Sequence, residues 1–344
     1  MNKQAVSAIF AWIFIMVVGG LIIGLFFTIA NTQAQAGEDR LAQNALQQVN
    51  TILNTQATSF DTSTTVRIPA RHIRLSCEAF RQGTTSVTLL SQLEIGGFSR
   101  ITQEDLLVGR DIQSDQLILF SKEWRAPFRI GNILHVSSNE ELLVIKDPPT
   151  SWEGVIPEVV NTEEYGGISI DASRYQNVRV VVFSNDGYSG HNEFSGILEA
   201  EGQQTHYIHV EYEGDVREAG KVTYSQQGND DGPYHYVGEG MLTGLIWQAS
   251  APEANCLQHK LAEDLKRQTT LQLQRRQALH DHYSGTNLCL GDLTDSHLNN
   301  LGAAPGTPQT GNPLYNFVNL EDRADAVRRQ NERLLRGERC ATIY

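Results

Sequence analysis

Between Ala8 and Ala30 the chain runs for 23 residues, AIFAWIFIMVVGGLIIGLFFTIA, without a charged side chain, and no charge occurs anywhere from Ala5 to Gln35. At 1.5 Å rise per residue such a run makes roughly 34 Å of helix, enough to cross a hydrocarbon core of about 30 Å. A secretory signal has an apolar stretch of only about 7–15 residues before its cleavage site. A helix on the surface of a soluble protein keeps a polar face. This run fits neither pattern, so residues 1–30 are expected to form a retained transmembrane helix.

The flanks give it a direction. Lys3 and the amino end lie on one side, and on the other the first basic residue is Arg40. The excess of positive charge stays in the cytoplasm. The expected topology therefore has a cytoplasmic N-terminus and residues 31–344 outside the cell membrane. Trp12 suits an interfacial anchor at the cytoplasmic end. Gly20 and Gly24 form a Gly-x-x-x-Gly pair, which lets a second helix approach closely. The partners expected are thus the lipid bilayer and, through that face, another copy or another membrane protein.

Beyond the bilayer, Leu41, Ala45, Val49, Ile52 and Leu53 recur at steps of three and four. That spacing predicts an amphipathic stalk helix within residues 31–60. From 61 to 249 the pattern turns strand-like, in TVRIPARHIRLSC, SVTLLSQLEI, QLILFS, FRIGNILHVSS, THYIHVEYEG and GKVTYS. LLVIK and VRVVVFS are almost continuously apolar, as in strands covered on both faces. SWEGVIPEVVN reads as a short helix. The fold class expected is α+β with a β-rich mixed head, and the direction of its strands stays open. Residues 250–344 hold two amphipathic helices, one from Ala251 to Tyr283 and one near Leu320 to Arg339, joined by a Gly- and Pro-rich loop. They are read as an antiparallel hairpin.

The cysteines are Cys77, Cys256, Cys289 and Cys340. Outside the membrane an even number implies two disulfides. An antiparallel hairpin would bring Cys256 and Cys340 to one end, which favours Cys256–Cys340 and leaves Cys77–Cys289. No Cys-x-x-Cys and no His-Glu-x-x-His occurs, and the closely spaced histidines diverge: His206 and His209 on a strand, His280 and His282 on a helix. No metal and no cofactor is expected. The formal charge of −13 argues against nucleic acid, whose phosphates need a basic face. The arginines of the last helix alternate with acids and read as a solvated face. One loop carries a candidate constellation: Asp186, Ser189 and His191, in FSNDGYSGHNEF after an apolar strand, where α/β folds place ligands. GYSGH lacks the final glycine of a nucleophile elbow.

AVSAIFAWIFIMVVGG after a short basic start, with a helical continuation and a β-rich head, resembles archaeal type IV pilins over about the first 55 residues. Gln4 stands between Lys3 and Ala5, where the prepilin pattern puts the basic residue directly before the cut. FAWIFIMVVGGLIIGL, LFSKEWRAPFRIGNILHVSS, GMLTGLIWQASAPEANC and RGERCATIY are similar to a group of single-pass membrane proteins of small-genome archaea, over nearly the whole chain. That likeness implies an architecture and no activity.

The function expected is that of a non-enzymatic, membrane-anchored envelope protein, structural or adhesive and pilin-like. The alternatives are a tethered enzyme or ligand-binding domain using the Asn185–His191 loop, and an assembly factor acting through Gly20 and Gly24.

Overall fold

The computed structural model describes residues 16–33, 51, 55, 61–67, 72–77, 85–90, 99–103, 110–114, 116–185, 187, 191–202, 204–226, 229–248, 251–284, 296–305, 317–336 and 341–342. Helix α1, Met16–Gln33, is long and apolar enough to cross a membrane, and none of it is buried against the protein. Leu21, Ile23, Phe26 and Phe27 are all exposed. A Cβ built at Gly20 or Gly24 would meet nothing within 4 Å, so that face is open. Thr51 and Thr55 are helical. The remainder of the expected stalk, and the segment with Lys3 and Trp12, lie outside the described residues.

The strands, in chain order, are β1 (Ser63–Arg67), β2 (His72–Cys77), β3 (Thr85–Leu90), β4 (Ser99–Gln103), β5 (Arg110–Gln113), β6 (Gln116–Arg125), β7 (Arg129–Ser138), β8 (Glu141–Lys146), β9 (Thr162–Glu164), β10 (Ile170–Asp171), β11 (Asn177–Ser184), β12 (Leu198–Ala200), β13 (Gln204–Tyr212), β14 (Ala219–Gln226) and β15 (Asn229–Val237). TVRIPARHIRLSC is thus two strands in different sheets. β1 joins β6 and β7, whereas β2 lies in the antiparallel sheet β4-β3-β2-β5. SWEGVIPEVVN supplies only a 3-10 turn, Thr150–Trp152.

The central sheet has six strands in the order β15-β14-β13-β11-β8-β9. β9, β8, β11 and β13 are parallel, and β13, β14 and β15 form an antiparallel meander. This resolves the question of strand direction. The two apolar runs are β8 and β11, buried along almost their whole length at the middle of the parallel part. On one face Leu143, Ile145, Val181, Phe183, Ile208 and Val210 join the main core. On the other, Leu142, Val144, Val178, Val180 and Val182 pack under Ala172, Tyr175, Phe194 and Ile197. Alternation along a strand sends neighbours to opposite faces, so both faces must be apolar when both are covered.

Helix α2, Glu239–Trp247, is buried from Gly240 to Trp247. Such a helix is apolar all round because protein surrounds it. It approaches β6 so closely that a Cβ on Gly240 would stand 2.5 Å from the Glu123 carbonyl oxygen. Trp124 Nε1 donates to Val237 O, and Phe120, His135 and Trp247 form one aromatic cluster, with Phe120 stacked on His135 at 4.6 Å between centroids. The β6–β7 hairpin and α2 therefore pack on one another.

At the C-terminal end of α2 sits a buried ion pair. Arg179 Nε donates to Glu141 Oε1 at 2.8 Å, with both side chains 1 % exposed. Arg179 Nη1 donates to Gln248 O at 3.1 Å, Tyr224 Oη to Leu245 O at 2.7 Å, and Ser137 Oγ to Glu141 Oε2. A cation there satisfies carbonyls that a helix end leaves without partners and complements its dipole. Burial pulls the Arg179 guanidinium down to about 10, still charged at neutral pH.

The C-terminal helices are α3 (Ala251–Tyr283), α4 (Ser296–Gly302) and α5 (Leu320–Arg336). Leu257, Leu261, Leu265, Leu298, Leu301, Leu320, Ala324, Val327 and Leu334 enter the same core as the sheet. The antiparallel hairpin is replaced by a different arrangement. Gln258, early in α3, donates to His235 O, and Phe317, Val318 and Glu321 at the start of α5 share a groove with His235. After α5, the Ala341 amide donates to Tyr283 Oη at the far end of α3. The two long helices therefore run the same way. α4 runs against them, with Gly302 beside Thr269 and His297 beside Arg333. A loop was expected where α4 lies; its Leu298 and Leu301 anchor it in the core.

That direction removes the geometric ground for a Cys256–Cys340 bridge. Cys256 is disulfide-bonded, but Ala341 stands by Tyr283, 27 residues (283 − 256) and about 40 Å further along α3. Cys340 and Cys289, and the side chain of Cys77, lie outside the described residues.

Candidate functional site

The chain winds across the parallel strands in both directions. From β8 it passes to β9 over one face of the sheet, burying Trp152, Val155 and Val160 in the main core. From β9 to β11, and again from β11 to β13, it crosses the opposite face, burying Ala172 and Tyr175 and then Phe194 and Ile197. Strand order thus reverses between β8 and β11. In open sheets of this kind ligands occupy the crevice outside the carboxyl ends of the strands at such a reversal.

The loop with Asp186, Ser189 and His191 leaves β11 at that point. Asp186 and Ser189 lie outside the described residues, as does the side chain of His191, whose backbone opens a 3-10 turn, His191–Phe194. At the carboxyl ends of β8 and β11 three residues converge that sequence spacing does not connect. Lys146, the last residue of β8, donates from Nζ to Glu193 O at 3.1 Å. His209 Nε2 of β13 stands 3.3 Å from Glu193 Oε2. Glu193 lies in the 3-10 turn itself. No local motif links positions 146, 193 and 209; only the parallel pairing of β8, β11 and β13 brings them together.

The electrostatics follow from burial. His209 is 1 % exposed, and desolvation lowers its pKa, against the opposing pull of Glu193 and Glu211. Asp147, next after Lys146, has φ +53°, a left-handed conformation uncommon outside glycine, and Gly187, after β11, has φ +91°. Non-glycine residues in that region cluster at ligand sites and switch segments. Ser184 Oγ donates to Gly187 O at 3.2 Å and ties the loop to the end of β11. A neutral imidazole beside a carboxylate can accept or relay a proton, and Lys146 puts a positive charge at the same edge.

His206 and His209 fall on opposite faces of β13, as alternation requires: His206 pairs in register with Arg179 and His209 with Val182. Among the described residues no group of three or more His, Cys, Asp or Glu side chains is arranged to hold a metal ion. No protein-family model, no curated protein and no solved structure matches this chain.

Proposed function

We propose that this chain is a single-pass, membrane-anchored envelope protein that presents its head on the extracytoplasmic side, in a structural or adhesive role, and is pilin-like in its anchor. The observation that carries the reading is the disulfide at Cys256 in a chain that also holds a membrane-length apolar helix. Disulfides persist in oxidising compartments and are rare in the cytosol. The lone lysine before the helix supports the same orientation. The open Gly20/Gly24 face supports association with other membrane helices. Thiol labelling tests it. Protein denatured from cells under alkylating conditions should leave Cys256 unlabelled until it is reduced, whereas a fully labelled Cys256 before reduction removes the ground for the compartment.

A second reading is favoured by the strand reversal at β8 and β11 and by the left-handed Asp147: the head binds a small ligand, or acts on one, at the Asn185–His191 loop with Lys146, Glu193 and His209.

A further inference from the structure

Helix α5 carries opposite charges at its two ends, and in each case other elements add charge of the same sign. At its start, Glu321 faces Glu211 and Glu213 across a groove of about 310 Å³ that also takes in Lys221, His235, Phe317 and Val318. Lys221 is engaged by Glu211 at 2.8 Å. Neither Glu213 nor Glu321 is in an ion pair among the described residues. Burial, with Asp325, Asp322 and Glu218 nearby, raises the Glu321 pKa against the opposing pull of Arg328. Towards its end, Arg329, Arg333 and Arg336, exposed at steps of four and three, line a second groove of about 410 Å³ with His297 of α4, Ala326 and Glu332. None of the three arginines is ion-paired among the described residues, while neighbouring Arg328 is held by Asp325 at 2.8 Å.

The helix dipole favours acids in a first turn and bases in a last turn. It accounts for Asp322, Arg333 and Arg336. It does not account for Glu211 and Glu213, which approach Glu321 from β13 and the turn after it, nor for His297 from α4 or for Arg329, two turns from the end. Like charges at i, i+4 destabilise a helix. Each groove is therefore left with charge that an opposite partner would neutralise, and each is the complement of the other. From Glu321 to Arg333 is 12 residues (333 − 321), about 18 Å along the helix, too far for the two grooves to neutralise one another within one chain.

We propose that the arginine groove of one copy docks onto the acidic groove of a second copy, joining the heads head to tail. A contact between two different patches repeats along an open chain unless its rotation closes a ring. Anchorage in a common bilayer raises the effective concentration of the heads, so a modest electrostatic contact is sufficient. The exposed Val318 and the buried Phe317 give the acidic groove an apolar floor for the stems of the incoming arginines.

The test uses the full chain in lipid nanodiscs or vesicles, in a Gly24→Ile background so that contact between membrane helices does not mask contact between heads. Association is read by energy transfer between labelled copies. Reversing the basic groove (Arg329→Glu with Arg333→Glu) should weaken association about tenfold or more, as should reversing the acidic one (Glu213→Lys with Glu321→Lys). Mixing the two variants, or combining all four changes in one chain, should restore it. Raising salt from 0.1 to 1 M, which shortens the screening length from about 10 to about 3 Å, should weaken the wild-type contact. Heads that do not associate in the unreversed chain, association indifferent to either reversal, or no recovery on mixing would each overturn the proposal.

Discussion

Among the described titratable residues, His135 sits in a strongly shifting environment. It is fully buried, stacked on Phe120 with Trp247 at its edge, and neither ring nitrogen has a hydrogen-bond partner among the described residues. Burial, helped by the nearby Lys122 charge, pulls its pKa down to about 3 from an ordinary 6.5. Below pH 6.5 the unfolded chain takes up a proton that the native state refuses. Stability therefore falls as pH drops from 6.5 towards 3, by at most about 1.4 kcal/mol per pH unit. His135→Leu removes the titration and leaves no polar atom unpaired. Denaturant titrations at pH 6.5 and 4.5, read by tryptophan fluorescence, should show the wild type losing about 2 kcal/mol more than the variant over that interval. Parallel losses would mean that the imidazole is protonated in the native state. The sequence does not announce this environment, because FRIGNILHVSS reads as an ordinary strand and nothing local says what lies over its histidine.

Among elements, legibility followed periodicity. β8 and β11 are visible because a strand covered on both faces is apolar at every position, and α3 and α5 because their apolar stripes recur over many turns. α2 is not, since GMLTGLIW is too short and too uniformly apolar to tell a buried helix from a buried strand. α4 hides within a polar stretch where two leucines three apart are its only signal. The direction of α5 relative to α3 is a property of the connection between them, to which helical periodicity is blind. Of the candidate site, the apolar strand that precedes the loop, β11, is legible. Lys146, Glu193 and His209 were not, because non-local parallel pairing assembles them. The helix directions also bear on the disulfides. Ala341 donates to Tyr283 Oη at the far end of α3, about 40 Å along that helix from Cys256. Non-reducing peptide mapping should recover Cys256 joined to a cysteine other than Cys340. A Cys256–Cys340 peptide would contradict the parallel course of α5.

At the scale of the molecule, one apolar core unites the six-stranded sheet, the β6–β7 hairpin and helices α2 to α5, so the C-terminal helices are part of the head rather than an appendage. By contrast, α1 exposes Leu21, Ile22, Ile23, Leu25, Phe26 and Phe27, a surface that only lipid or other apolar helices can cover. The account makes the first of these the extracytoplasmic part and the second its anchor. Protease added to intact cells, with the chain followed by antibodies to each end, tests this most directly. The account predicts loss of the head while the cells remain sealed, with a short fragment containing α1 left in the membrane. A head that survives until the cells are lysed would place it in the cytoplasm and contradict the account.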